Sequence, residues 1–258
     1  NDGRGRTLVM DSPLVFLSIT FFAIAVTYSM VGFGGGSSYL AALAMTGLAY
    51  QVIPPIALIC NMIVAGGGFI HFVKGGHFSL KKVLPFTVLS IPMAYWGGKL
   101  LIAKELFFLL LGLSLLIAAI RMLMPDDFFD RSREISFKKA WGVGLPAGAF
   151  LGFLSGLVGI GGGIFLSPIL LFLRWVDVKQ AGACASFFIL VNSFSGFFGQ
   201  LHKGTMNYEM ILPLGLAVFV GGQIGSRIGS FHLPKLQFQR VLAILIASVA
   251  IKMIVSSL

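Results

Sequence analysis

The stretch VGFGGGSSYL (residues 31–40) recurs later in the chain as VGIGGGIFLS (residues 158–167). Both copies place three glycines at the start of a short apolar segment. A glycine costs about 1 kcal/mol relative to alanine inside a helix, so a triplet at two equivalent places predicts a required interruption of the helix. We call residues 31–36 the first break and residues 158–163 the second break.

The chain around these breaks is too apolar for a soluble protein. Of its 258 residues, 57% are apolar and only 11% are charged, and the mean hydropathy is +0.95. Soluble domains have about 25% charged residues. The composition therefore excludes a soluble globular protein, a disordered chain and a DNA-binding domain. It predicts an all-α, polytopic integral protein of the cell membrane, which in a bacterium is the cytoplasmic membrane.

Ten apolar segments follow one another between charges and turn residues. They cover residues 13–31, 34–49, 52–73, 82–98, 101–123, 140–158, 161–173, 178–201, 207–226 and 236–256. Since one span needs about 20 residues, we expect eight to ten transmembrane helices, with short broken helices at the glycine-rich motifs. Residues 1–9 are interpreted as an added segment, with Met10 as the native start.

The two halves of the chain resemble each other beyond the breaks. Asn61 and His71 match Asn192 and His202, and GGK at 97–99 matches GSR at 225–227, in the same order. We therefore predict two five-segment repeats, residues 10–123 and 140–258, joined by a cytoplasmic linker over residues 124–139. Internal repeats of this kind are typical of secondary transporters, which bind substrate between the repeats.

The distribution of basic residues favours an inverted arrangement. If all ten segments cross, one side has thirteen Lys and Arg from residue 10 onward and the other has only Lys99, Lys104, Lys203 and Lys252. If 13–31 with 34–49, and 140–158 with 161–173, each make one net crossing, the split is ten to seven. The positive-inside rule favours the first model, with both termini outside.

Each break predicts an anion-binding helix start. A helix that begins after glycines exposes free N–H groups at the positive end of its dipole. The predicted substrate-binding residues at the breaks are Gly34, Gly35, Gly36, Ser37, Ser38, Gly161, Gly162 and Gly163. The alternative is that these glycines only allow close packing of helices.

Polar side chains within the apolar segments extend the predicted site. Asn61, Asn192, Ser193 and Gln200 are candidate substrate ligands, with interhelical hydrogen bonding as the equally weighted alternative. His71, Lys74, His202 and Lys203 lie near segment ends. They are candidates for proton coupling or for vestibules that attract anions.

Other chemistries lack the residues they need. No cluster has metal-ligand spacing, no hydrolase motif is present, and we expect no metal, no cofactor and no enzymatic activity. Cys60 and Cys184 lie inside apolar segments, where a small buried residue is the better interpretation. The net charge of +10 is assigned to cytoplasmic loops rather than to nucleic-acid binding. Scarce acidic residues favour an anionic substrate over a cation.

Three stretches resemble a known family. VGFGGGSSYL (31–40), SGLVGIGGGIFLSP (155–168) and QAGACASFFILVNSFSGFFGQLHKG (180–204) are similar to the sulfite exporter TauE/SafE family, also grouped as the 4-toluene sulfonate uptake permease family. The resemblance spans the chain from Met10. It implies a permease for sulfite, sulfoacetate, sulfonates or related sulfur-containing anions.

The sequence as a whole predicts a secondary transporter that exports a small inorganic or organic sulfur-containing anion by alternating access. Membrane lipid is an expected partner, nucleic acid is not, and a homodimer is a further possibility. The alternatives are a channel-like anion conduit and a non-transporting membrane scaffold or sensor. A membrane enzyme is the weakest alternative, because no nucleophile and base can be paired.

Overall fold

The computed structural model describes residues 5–123, 136–204 and 206–231, together with Ala247, Ala250, Ile251, Ile254 and Val255. Throughout these residues the secondary structure is helical, with turns and irregular links and no strand. The predicted all-α class is confirmed for this part of the chain.

Nine helices are defined within the described residues. They are α1 Gly5–Ser29, α2 Gly36–Met45, α3 Ile53–Lys74, α4 Leu80–Lys99, α5 Lys104–Leu123, α6 Phe137–Val158, α7 Gly163–Phe172, α8 Val178–Leu201 and α9 Tyr208–Phe231. Helix ends follow local chemistry: α3 begins with two prolines, and the Asp177 carboxylate caps α8 by accepting a hydrogen bond from the Gln180 N–H at 2.8 Å. Acceptors of this kind satisfy free N–H groups at a helix start.

Several predicted boundaries differ from the observed helices. Helix α1 begins at Gly5, so part of the segment set aside as added belongs to a helix. Helix α6 begins at Phe137, inside the predicted linker, whose residues 124–135 lie outside the described chain. Most of the tenth segment also lies outside it. Its described residues are helical, and a methyl group on Gly112 of α5 would lie 2.6 Å from Ile254.

The bundle has the surface of a membrane protein. In the part of the chain that the structure describes, four helical stretches are long and apolar enough to cross a bilayer: Ile53–Lys74, Phe137–Val158, Val178–Leu201 and Tyr208–Gly229. Large apolar side chains point outward, and Phe16, Phe150, Leu212 and Leu216 are each more than half exposed. An apolar surface this extensive is unsuited to water and suits contact with lipid.

Two rows of glycines, which we call glycine seams, pack the first helix of each half against the fourth helix of the other half. On α6, Gly144, Gly148, Gly152 and Gly156 face, in that order, Pro85, Phe86, Ser90 and Ala94 of α4. On α9, Gly221 and Gly225 face Phe22 and Val26 of α1, and Gly229 faces Met30, the residue that follows α1. In both seams the residue numbers of the facing positions rise together along the two helices, so the paired helices run in the same direction.

Helices α3 and α8 cross the middle of the bundle in opposite directions. Gly68 of α3 contacts Ser186 of α8, whereas Leu58 of α3 contacts Gly196 of α8. Position 61 of α3 is therefore level with the region of Ser193. The breaks described below lie at this level.

The chain returns across the bundle through each short helix. Helix α9 runs alongside α3 as well as α1, since Gly222 faces Val64 and Ser226 bonds to His71. Helices α1 and α3 thus run in the same direction. The connection between them, the first break and α2, must run back in the opposite direction. Because α4 accompanies both α6 and α8, the second break and α7 form the equivalent return.

Candidate functional site

Glycines with positive φ produce both breaks. In the first break φ is 79° at Gly32 and 88° at Gly35, and in the second it is 90° at Gly159, 84° at Gly161 and 79° at Gly162. Residues with a Cβ atom strongly disfavour this left-handed region, whereas glycine adopts it readily. The triplets are therefore needed for the backbone path itself.

Each break leads into a helix of ten residues, α2 and α7. Ten residues extend about 15 Å, roughly half of the 30 Å hydrocarbon core. Gly35 and Gly162 are the N-cap residues and provide no side-chain cap. The first turns of α2 and α7 consist of buried residues, so both helices begin inside the bundle.

One side chain of α3 contacts both breaks. Asn61 is completely buried, and its Nδ2 donates a hydrogen bond to the Ile160 carbonyl of the second break at 3.1 Å. A methyl group on Gly34 or Gly36 of the first break would collide with the same carboxamide. The absence of side chains at the breaks creates the space in which the Asn61 carboxamide lies.

Helix α8 supplies the facing side of the site. Ser193 is completely buried, and a methyl group on Gly161 would lie 3.0 Å from its Oγ. The methyl carbon Cγ2 of Ile189 would lie 3.2 Å from a methyl on Gly34 and 2.9 Å from one on Gly161. The structure thus brings together both breaks, Asn61 and Ser193, all of which were predicted site residues.

The same region contains buried polar atoms without hydrogen-bond partners. Among the described residues these are Ser37 Oγ, Tyr39 Oη, Asn61 Oδ1, Ser155 Oγ, Asn192 Oδ1, Ser193 Oγ and Gln200 Oε1. An unsatisfied buried polar group costs about 1–3 kcal/mol. All seven lie on α2, α3, α6 or α8, the helices that form and surround the breaks. Such a concentration is typical of a site that binds a polar ligand.

Three predicted ligands have other bonds. The Asn192 side chain donates to the Phe188 carbonyl of its own helix at 2.8 Å, and Gln200 donates to the Gly156 carbonyl at 2.9 Å. Ser38 donates to the Tyr28 hydroxyl at 2.7 Å, which joins α2 to α1. Interhelical hydrogen bonding, the alternative role considered for buried polar residues, therefore describes Ser38 and Gln200.

The histidines and lysines lie at the two ends of the bundle. His71 Nδ1 is 2.8 Å from Ser226 Oγ, and Lys74 is exposed at the end of α3. His202 Nε2 is 3.3 Å from the Tyr95 hydroxyl, beside Lys203. Because α3 and α8 are antiparallel, these pairs are at opposite ends, and each can line only the approach on its own side. Burial lowers the pKa of Lys203 to about 8.

Sequence reasoning missed two side chains and one carbonyl near the breaks. The Tyr39 ring stacks on Phe21 with centroids 4.5 Å apart, and a methyl group on Gly35 would lie 2.9 Å from its hydroxyl. A methyl group on Gly162 would lie 3.3 Å from the Cβ of Ser155. Neither stands out in an apolar sequence. The Ile160 carbonyl is a backbone atom, which no residue pattern predicts.

Metal-ligating groups do not cluster in the part of the chain that the structure describes. No set of three or more His, Cys, Asp or Glu side chains there can bind an ion. Cys60 and Cys184 are free and buried.

Comparison with known proteins finds relatives that are named as membrane transporters. The chain is 32% identical over 255 residues to the probable membrane transporter protein y4hK of Sinorhizobium fredii, covering 95% of this chain and 100% of that one. The probable membrane transporter protein YunE of Bacillus subtilis is 26% identical, with 78% and 82% covered. MamO of Paramagnetospirillum magneticum, also named a probable membrane transporter protein, is 26% identical over 95% of this chain but only 45% of its own length.

No solved structure matches the chain. The model of the family described as sulfite exporter TauE/SafE matches residues 17–253. The protein is thus a multi-pass membrane transporter, and it belongs to the sulfite exporter TauE/SafE family.

Proposed function

We propose that this protein is a secondary transporter that exports small sulfur-containing oxyanions, such as sulfite or organosulfonates, by alternating access. The observation that supports it most directly is the position of Asn61, buried between two glycine breaks with its Oδ1 unpaired. Family membership supports the substrate class. The unpaired groups at this position support a ligand site over the packing role of the glycines.

Backbone groups and neutral side chains supply the attraction for an anion. Free N–H groups and the positive dipole ends of α2 and α7 favour negative charge. Hydroxyl groups of Ser37 and Ser193, buried and unpaired, are further donors. A site of this type binds an oxyanion without a buried lysine or arginine, and it releases the ion more readily than a direct ion pair would.

The helix directions support the predicted inverted repeats. The corresponding helices α3 and α8 are antiparallel, and the first helix of each half packs on the fourth helix of the other. Two repeats related by an axis in the membrane plane produce both features. We retain residues 10–123 and 140–258 as the repeats and residues 124–139 as the cytoplasmic segment between them, whose last three residues belong to α6.

The same directions support ten crossings. Each short helix, with its extended break, returns the chain to the side where the preceding helix began. Basic residues then meet at one end, which we call the basic end, where Lys82 Nζ donates to Gln180 Oε1 at 2.8 Å and where Arg227 lies near His71. The positive-inside rule assigns the basic end to the cytoplasm.

Burial of the site supports alternating access over an open conduit. Asn61, Asn192 and Ser193 are completely buried, so an ion can reach them only when the helices separate on one side. The two glycine seams are surfaces on which whole helices can move as units. A permanently open channel would expose these side chains to water.

Flux through proteoliposomes tests the proposal. Asn61→Asp keeps the side-chain size but places a carboxylate between the two helix starts. We expect it to lower sulfite flux at least about tenfold, because the added charge competes with the anion. Thr87→Val is the control, since the Thr87 hydroxyl bonds only within α4, to the Val83 carbonyl.

The same vesicles distinguish the alternatives. A carrier exchanges labelled sulfite faster when unlabelled sulfite is present on the opposite side, whereas a channel does not. Equal flux in wild type and Asn61→Asp would remove the assigned site. A complete lack of sulfite flux in the wild type would favour the scaffold or sensor.

A further inference from the structure

The buried side-chain amides near the breaks are all oriented alike, since each donates a hydrogen bond through its NH2 group. Asn61 donates to the Ile160 carbonyl, Asn192 to the Phe188 carbonyl and Gln200 to the Gly156 carbonyl. A carbonyl has no proton to donate, so each bond requires the NH2 group at that position. The carbonyl oxygens of all three amides are consequently the unpaired atoms.

The oxygen of Asn61 lies where the ligand is expected. A methyl group on Gly36, the first residue of α2, would lie 2.9 Å from Asn61 Oδ1, and one on Gly34 would collide with it. The surrounding N–H groups and the Ser193 hydroxyl are hydrogen-bond donors. Asn61 Oδ1 is an acceptor fixed among them, because its carboxamide cannot reverse without losing the bond to Ile160.

A fully deprotonated oxyanion does not match this mixture of groups. All of its oxygens are acceptors, and one placed against Asn61 Oδ1 would bring two lone pairs together and leave Oδ1 unsatisfied. An oxyanion with one O–H group matches better. Its charged oxygens accept from the donors while its O–H donates to Asn61 Oδ1.

A metal cation matches less well than a protonated anion. Hard cations need about six to eight oxygen ligands, and Asn61 Oδ1 and Ser193 Oγ are two neutral ones. The positive ends of α2 and α7 also repel a cation. The acceptor at this position is therefore better explained by a donor on the ligand.

We propose that the site selects the monoprotonated form of its oxyanion, hydrogensulfite rather than the sulfite dianion, with Asn61 Oδ1 accepting the ligand's proton. This inference rests on the proposed function and narrows its substrate class to oxyanions that carry an O–H group, which leaves out the organosulfonates named there. Each transported ion then brings one proton with it, and the proton is released when hydrogensulfite dissociates to sulfite and H⁺ on the other side. Sulfate, which has no proton near neutral pH, and methanesulfonate, which has no O–H, should bind weakly.

Few protein groups near Asn61 can imitate this pH dependence. The titratable side chains on the helices packed around it are Tyr28 on α1, Tyr39 on α2, Cys60 on α3 and Cys184 on α8, and α7 has none. In water, phenols and thiols are uncharged below about pH 8. The charged or titratable groups nearer the ends of these helices and of α6 are Arg6, Asp11, His71, Lys74, Lys138, Lys139, Asp177, Lys179, His202, Lys203, Tyr208, Glu209 and Arg227.

The test measures the binding of sulfite, sulfate and methanesulfonate to the purified protein, at pH values below and above the second ionisation of sulfite. We expect the apparent Kd for total sulfite to rise about tenfold per pH unit above that ionisation, following the hydrogensulfite fraction. Methanesulfonate and sulfate should bind at least about tenfold more weakly than hydrogensulfite, with no such slope.

A variant assigns the preference to Asn61. Asn61→Ala removes the acceptor and should reduce the ratio of sulfite to methanesulfonate affinity toward one, whereas Thr87→Val should preserve it. Sulfite binding that does not depend on pH would overturn the inference and leave the proposed function intact. A parallel slope for methanesulfonate would also overturn it, since the titrating group would then belong to the protein. Absence of binding by all three anions would overturn both proposals.

Discussion

Gly36 shows how a single missing side chain shapes the site. Its φ is not in the left-handed region, so an alanine there is conformationally allowed. A methyl group would nevertheless collide with Asn61 Nδ2 and lie 2.6 Å from the Ile160 carbonyl oxygen. We expect Gly36→Ala to separate the breaks and lower sulfite flux at least about tenfold in proteoliposomes.

Gly66→Ala is the matched control for this change. Gly66 lies on α3, five positions from Asn61, and a methyl group there would be 3.7 Å from Leu190, an ordinary contact. We expect unchanged flux and a small gain in helix stability from Gly66→Ala. If Gly36→Ala transports as well as Gly66→Ala does, the close approach of the breaks is not needed for transport.

Lys203 makes stability depend on pH. Its pKa is lowered by burial from 10.5 to about 8. Below about pH 8 the charged form is present in both the folded and the unfolded protein, and burying it opposes folding. Between the two pKa values only the unfolded protein keeps the proton, so stability rises with pH. We expect this rise in Tm, followed in detergent from about pH 7 to about pH 10, to diminish in Lys203→Gln.

Lys99→Gln is the charge-matched control, because Lys99 is exposed at the same end of the bundle. At neutral pH, Lys203→Gln should raise the Tm and Lys99→Gln should not. An unchanged pH dependence in Lys203→Gln would assign the titration to another group.

At the residue scale, the sequence predicts those site residues that are unusual within an apolar segment. The glycine triplets, Asn61 and Ser193 are exceptional in apolar segments, and the structure brings them together. Asn192, which matches Asn61 in the sequence, bonds within its own helix instead, since a match in sequence does not specify which face a side chain occupies. Tyr39 could not be predicted, because an aromatic residue in an apolar run is also the commonest lipid-facing or core residue.

At the scale of helices, hydrophobic periodicity predicts that a helix exists and roughly where it lies. The backbone conformation of individual residues decides where it begins and ends. The segment predicted at 34–49 forms a helix only over Gly36–Met45. Gly35 and Gly47, both with positive φ, border it. The segment predicted at 161–173 similarly becomes Gly163–Phe172. Glycines set both ends of α2 and the start of α7, whereas α7 ends before Arg174, whose φ is 56°. The return direction of both helices depends on packing between helices distant in sequence.

The seam between α4 and α6 gives a prediction about helix packing. A methyl group on Gly148, Gly152 or Gly156 would collide with a backbone carbonyl of α4. Backbone, unlike a side chain, cannot move aside within the pair. We expect each alanine substitution to destabilise the protein by about 1–3 kcal/mol, measured by thermal unfolding in detergent.

Gly142 provides the control within the same helix. It lies on α6, and a methyl group there would meet nothing within 4 Å. Gly142→Ala should stabilise the protein by up to about 1 kcal/mol. A similar loss of stability in Gly142→Ala and Gly152→Ala would mean that glycine acts through helix propensity and not through the seam.

For the whole molecule, charge and packing independently describe the same two ends. The basic residues that the sequence places on one side include Lys82, and the bond from Lys82 to Gln180 joins the starts of α4 and α8. Tyr95 and His202, at the far ends of the same two helices, also meet. That basic residues share one end was predictable from charge, because it depends on the loops. The mutual contact of the breaks was not, because it depends on packing between segments distant in sequence.

The orientation of α1 gives the sharpest test of the whole arrangement. If all ten segments cross, the starts of α1 and α3 lie on the same side, outside, whereas a single net crossing of α1 with α2 places them on opposite sides. We expect a membrane-impermeant maleimide to label Thr7→Cys and Ala49→Cys in intact cells, and Lys81→Cys only after permeabilisation. Cys60 and Cys184 are buried, so the unsubstituted chain is the background. Labelling of Ala49→Cys from outside and of Thr7→Cys only from inside would remove the crossing assigned to α2 and leave nine, because the return path of α2 would then not traverse the bilayer.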